Sequence, residues 1–134
     1  MAELLPYTLI EGTNVLRPLL RLNLSYHGQT VEVSGLLDSG ADVNVLPYTV
    51  GAMLGIPWQT QPLVMSPSGN LSQYETRGVA LNAIVGTHPS VRLGFAWTKA
   101  PNVPLILGQE NFFAIFDVCF FRSRSTFQVQ LKEE

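Results

Sequence analysis

A chain of 134 residues, 46% of them apolar and only 13% charged, has the material for one hydrophobic core, and a single domain over residues 1–134 is expected. A formal net charge of -2 provides no electrostatic footprint for nucleic acid or an anionic membrane and excludes both as partners. The charged fraction lies well below the roughly 25% of an average soluble domain, so part of the surface is expected to be covered by a second copy of the chain.

Cys119 is the only cysteine, which excludes an internal disulfide framework and a cysteine-based zinc cluster. In "FDVCFF" it reads as a buried thiol that fills space like a small apolar side chain. The histidines, His27 and His88, both fall at turn signals with no third ligand implied, so no metal is expected. The N-terminus "MAELLPYTLIEG" lacks a basic segment followed by a long apolar core, and no run reaches the roughly 18 apolar residues of a membrane span. The expectation is a soluble, cytoplasmic protein. The Met start and complete-looking ends favour a free-standing protein over a segment cut from a larger polyprotein.

In chain order, turn signals recur at short intervals, as in an all-β domain. "RPLLRLNLSY" and "TVEVSGLLD" flank "HGQ", with Leu20, Leu22 and Leu24 alternating against Arg21, Asn23 and Ser25. That period of two predicts a half-buried hairpin. "YTVGAMLGI" predicts one or two helical turns, stopped by Gly55 and Pro57. "LSQYETRGVALNAIVG" and "SVRLGFAWT" are further alternating strands, "PLILG" a short apolar one, and "TFQVQL" a terminal one. "GQENFFAIF" predicts a second short helix with Phe112, Phe113 and Ile115 turned inward. Trp58 and Trp97 read as core or pocket aromatics, and Tyr74 as a plain strand residue. The fold class is mostly β, barrel-like, with one or two short helices.

One stretch does not fit a purely structural reading. The chain has three aspartates, and Asp38 and Asp42 both stand in "GLLDSGADVNVLP", directly after an apolar run that reads as a strand. Burying an ionised carboxylate without a partner costs several kcal/mol or more. Asp, Ser and Gly alone make an ordinary turn, but here leucines precede the triplet and "ADVNVL" follows it. Asp38 is then delivered at the end of a rigid strand, beside the Ser39 hydroxyl and the tight turn that Gly40 permits.

The segment resembles the active-site loop of retropepsin-like aspartic proteases, which carry apolar-apolar-Asp-Ser/Thr-Gly-Ala. "PLILG", Pro104 to Gly108, is similar to the family's second hallmark, an apolar pair plus glycine beside the catalytic loop, followed by a short helix. The resemblance covers residues 16 to 117 and implies a closed barrel-like retropepsin fold with a flap hairpin, for which "LVMSPSGNLSQYETRG" is the candidate. It implies that Asp38, Ser39 and Gly40 are catalytic. It implies that Ala41, Asp42 and Ile106, with Pro67, Ser68, Gly69 and Asn70 at the flap tip, contact substrate. Val43 stands where retroviral members often carry a second acidic residue, which changes the polarity of a subsite.

Aspartic protease chemistry needs two facing carboxylates that share one proton, and no metal or organic cofactor. The chain has one Asp-Ser-Gly triplet, and Asp117 lacks the Ser-Gly that would make it a second. A two-fold homodimer solves the count, with Asp38 of each copy meeting at the axis. The expected activity is aspartic endopeptidase cleavage of extended peptide segments. In the family, terminal strands of both subunits interleave, and the same is expected of "LLPYTLI" and "TFQVQLKEE". The alternative is a non-catalytic dimerisation or peptide-binding module on the same fold.

Overall fold

Alternation builds the first hairpin. In β4 (Leu19–Tyr26), Leu20, Leu22 and Leu24 are buried while Arg21 and Asn23 face solvent. Its partner β5 (Gln29–Leu37) pairs antiparallel from Tyr26↔Gln29 to Leu19↔Leu36. The two-residue turn between them, His27 at φ 47° and Gly28 at φ 86°, has the doubly positive geometry that suits the right-handed twist of a hairpin. This computed structural model describes residues 3–64 and 74–133. The short strands β1 (Leu5–Pro6), β2 (Thr8–Leu9) and β3 (Leu16–Arg17) precede the hairpin.

Downstream of β5 come β6 (Val45–Pro47), α1 (Tyr48–Met53), β7 (Thr76–Ile84), β8 (Val91–Thr98) and β9 (Ile106–Leu107). These strands close a barrel in the order β4-β5-β9-β6-β8-β7. The interior holds Leu22, Leu24, Leu81, Leu93, Trp97 and Leu107, each large apolar side chain contributing about 1.5–3 kcal/mol by burial. Helix α1 ends as its sequence predicts. Gly55, at φ 74°, donates its N–H to Ala52, and Ile56 donates to Gly51, the paired bonds of a glycine-terminated helix. Gly51 has no alternative residue, because a Cβ there would lie 2.3 Å from the Trp97 ring.

Helix α2 (Phe112–Ile115) is shorter than the apolar run predicts, because the chain straightens at Phe116 into β10 (Phe116–Phe121). β10 pairs with β11 (Thr126–Leu131), and β11 also takes β1, with Leu5 opposite Phe127. The terminal strands pair within one chain, in the order β1-β11-β10. Cys119, expected to be buried, is exposed. It lies on β10, whose side chains alternate between the core face, where Phe116 is buried, and the opposite face.

A further antiparallel contact links residues 62–64 to residues 76–78. Leu63 bridges Arg77, the Val64 N–H donates to Thr76 O at 3.1 Å, and the Gly78 N–H donates to Pro62 O at 2.8 Å. The segment expected to form the flap runs between these paired residues. Its tip, with Pro67, Ser68, Gly69 and Asn70, lies outside the described residues. No helix among the described residues is long and apolar enough to cross a membrane.

Candidate active site

The parallel pairing of β5 with β9 places the site. Leu36 lies opposite Ile106 and Leu37 opposite Leu107, so the segments that follow the two strands emerge at the same edge of the barrel. β6 closes the group by pairing Val45 with Ile106. Loop 38–44 and loop 108–111 are thus held side by side although about 70 residues separate them in the chain, a gap the 70-residue span of one of their contacts measures.

The loop containing Asp38 is fixed by its own backbone. The Asp38 N–H donates to Leu107 O at 3.1 Å, and the Ala41 N–H donates to Asp38 O at 3.1 Å. The Gly40 N–H donates to Asp38 Oδ1 at 3.0 Å, a charge-assisted bond that orients the carboxylate. The second loop then zips onto the first. Gln109 donates its N–H to Ala41 O at 2.9 Å, and Glu110 donates to Asp42 O at 2.7 Å. The Gln109 side-chain amide donates to Ser39 O at 2.9 Å. Asp38 is half-buried at the lip of the barrel, while Ser39, Gly40 and Asp42 are exposed. The Ser39 hydroxyl makes no hydrogen bond among the described residues of its own chain.

Gly108, the glycine of "PLILG", and Asn44, which sequence reasoning passed over, make this packing possible. A Cβ on Gly108 would stand 2.6 Å from Val43 O and 2.9 Å from Ala41 O, so only glycine lets the loops approach. Asn44, 1% exposed, accepts the Gly108 N–H at 2.8 Å and donates to Gly94 O and to Asn111 Oδ1, both at 2.9 Å. Asn111 Oδ1 also accepts the Gly94 N–H at 2.9 Å. One buried amide thereby ties the Asp38 loop to β8 and to the start of α2, and its polar atoms are satisfied as burial requires. The signal in the sequence was an asparagine set between valines, in "DVNVLP".

Of the residues singled out from the sequence, Asp38, Ser39, Gly40, Ala41, Asp42 and Ile106 are brought together on this edge. Beside them a recess of about 340 Å³ is lined by Val43, Asn44, Val64, Gly78, Phe95 and Glu110, among others. Val64 and Gly78 come from the paired segments 62–64 and 76–78, so that pairing lies beside the loop bearing Asp38.

The sequence matches no protein-family model and no curated protein. Solved structures do resemble the fold. A retropepsin-like aspartic protease from Rickettsia conorii superposes with a TM-score of 0.65 over 98% of this chain and 93% of that one, at 11% identity. The retroviral protease-like domain of Ddi1 from Leishmania major gives 0.58 over 87% of this chain and 95% of that one, at 13% identity. EIAV protease, solved with the inhibitor HBY-793, gives 0.54 over 69% of this chain and 81% of that one, at 19% identity. At such identities the likeness establishes architecture, and the chain has the retropepsin-like fold.

Proposed function

We propose that the chain is an aspartic endopeptidase whose active site is completed by a second copy, with Asp38 of each copy forming the catalytic dyad. The observation that carries this reading is the placement of "LLDSGA". Asp38 stands at the end of a barrel strand with one carboxylate oxygen held by the Gly40 N–H at 3.0 Å, at the edge where the two loops meet. Asp38 is half-buried and forms no ion pair among the described residues, and the turn contact to Gly40 would be met as well by an asparagine.

In the dyad one carboxylate is ionised and the other protonated. The ionised one takes a proton from water as the water oxygen attacks the scissile carbonyl carbon, and the protonated one donates to the carbonyl oxygen. The resulting tetrahedral diol collapses when its C–N bond breaks. A proton passes to the leaving nitrogen, and the pair returns to a single shared proton. The free Ser39 hydroxyl is available to hydrogen-bond across the dimer beneath the dyad. Ala41, Asp42 and Ile106 flank the substrate backbone, the recess beside Val43 takes an apolar side chain, and Pro67, Ser68, Gly69 and Asn70 are assigned a substrate-contacting role. An extended peptide bound as an added strand fits this layout.

The outer edge of β10 supports the dimer. Among the described residues β10 pairs with β11 alone. Its sequence, "FDVCFF", has neither lysine nor proline to discourage edge pairing, and Phe120 is 38% exposed. A second copy joined there would continue the sheet as β1-β11-β10-β10′-β11′-β1′.

The test is cleavage of an apolar extended peptide across the pH range. Turnover should peak at roughly pH 4 to 6, resist chelators and serine- or thiol-directed reagents, and vanish in Asp38→Asn. Wild-type turnover by Asp38→Asn would overturn the aspartic mechanism. Peptide binding without cleavage would favour a non-catalytic peptide-binding module on the same fold.

A further inference from the structure

We infer that Trp58 and Glu75 form a clamp that positions one wall of the recess beside the Asp38 loop, and so act as positioning residues for the peptide side chain held there. The inference rests on the endopeptidase reading above and adds residues from outside its motifs.

The clamp is built on one indole ring. Trp58 follows Pro57 at the start of a single 3-10 turn, Trp58–Thr60, and its ring stands edge-on to Trp97 at 4.7 Å between centroids. Trp97 is fully buried, and its indole N–H donates to Tyr48 O at 3.1 Å, so Trp58 leans on a fixed surface. From there its own indole N–H donates to Glu75 Oε2 at 2.8 Å. The other carboxylate oxygen, Oε1, accepts from Arg77 Nη2 at 3.2 Å. Arg77 then spans the hairpin, donating from Nη1 to Gln61 O at 2.8 Å. Two cations complete the box: Lys99 Nζ lies 4.7 Å and Arg77 Cζ 5.6 Å from the Trp58 ring centroid, within cation–π range.

What the clamp grips is specific. Gln61 and Glu75 sit just outside the paired residues 62–64 and 76–78, which carry Val64 and Gly78 into the recess. A Cβ on Gly78 would meet Val64 Cγ1 at 3.1 Å, so the two limbs are already in close contact and move together. Shifting Glu75 or Arg77 therefore shifts the recess wall, while Asp38 and its loop are held by separate bonds to Leu107, Gln109 and Glu110. The clamp should govern how a side chain fits the recess and leave the chemical step alone.

The experiment compares wild type, Trp58→Phe and Glu75→Gln. Trp58→Phe keeps an aromatic ring but removes the N–H donor and part of the ring area, and Glu75→Gln removes the charge while keeping the side chain's size. For a peptide with leucine at the recess position, KM should rise about threefold to tenfold in each variant while kcat stays within about twofold. For the same peptide with alanine there, KM should barely change. Hydrogen exchange at the Val64 and Gly78 amides should quicken in both variants, with amides in β4 unaffected. Unchanged exchange in both variants, or a fall in kcat at constant KM, would overturn the clamp. If the wild-type chain cleaves nothing, the endopeptidase reading falls, and the exchange comparison still decides the clamp.

Discussion

Asn44 Oδ1 accepts the N–H of Gly108 at 2.8 Å, a hydrogen bond across 64 residues of sequence that locks the Asp38 loop to the loop after β9. Replacing Asn44 by leucine keeps the branching of the side chain, adds bulk, and leaves the Gly108 N–H and the Gly94 carbonyl without this partner in a buried setting. The cost should be about 2–4 kcal/mol, read as a lowered urea midpoint. A change below about half a kilocalorie would mean that the amide is not the tie described.

The neighbouring glycines give a contrasting pair. Gly108→Ala would press a methyl against the Val43 and Ala41 carbonyl oxygens, so one loop must withdraw. We expect a loss of about 1–3 kcal/mol together with impaired turnover. Gly94→Ala meets nothing within 4 Å, and an alanine there should be neutral or slightly stabilising, by up to about 1 kcal/mol. Thermal unfolding of both variants checks the contrast, and equal effects would contradict the packing argument.

The hairpin clamp has its own pH signature. The Glu75 carboxyl is held below the ordinary glutamate value, chiefly by the Trp58 indole N–H. Some desolvation works against this, while the hydrogen bond and charge of Arg77 and the charge of Lys99 lower the value further. Arg77 and Lys99 are the charged groups facing it, and residues 65–73 contain no titratable side chain. A lowered value in the folded state means the contribution is present above the ordinary carboxylate range and is lost as pH falls through the folded value. Exchange protection of the Gly78 amide should therefore hold near neutral pH and weaken only once the pH falls below the ordinary carboxylate range. In Glu75→Gln it should lose this pH dependence. A wild-type profile as flat as that of the variant would remove Glu75 from the clamp.

The β10 edge makes a separate commitment. Cys119 is exposed on that strand, and Cys119→Lys places a charge on the edge where a second copy is expected to pair. In sedimentation at one fixed concentration, wild type should run at the mass of two chains and the variant should shift toward one. Identical two-chain masses for both would move the interface elsewhere.

Legibility followed range along the chain. The β4–β5 hairpin could be read from Leu20, Leu22 and Leu24, and the end of α1 from Gly55 and Pro57, because neighbours in sequence decide both. "LLDSGA" and "PLILG" could be read as a pair only through their resemblance to a known pattern. What escaped was settled at a distance. Leu5 pairs with Phe127, a contact no local pattern encodes. "FDVCFF" suggested a buried thiol by its apolar neighbours alone, yet pairing with β11 makes it a strand and turns Cys119 outward. Asn44 was passed over between its valines, because its value lies in Gly94, Gly108 and Asn111, far away in the chain. Trp58 was read as a pocket or core aromatic, and only the fold brings Glu75 to its N–H.

The most direct test of the central claim is to mix chains. Cleavage by a fixed amount of wild type is followed near pH 5 while Asp38→Asn protein is added, with time allowed for subunits to exchange. If each active site needs Asp38 from both copies, mixed dimers are inactive, and about a tenfold excess of the variant should nearly abolish the rate. A rate that stays constant through the titration would contradict a shared dyad, since each wild-type chain would then carry a complete site of its own.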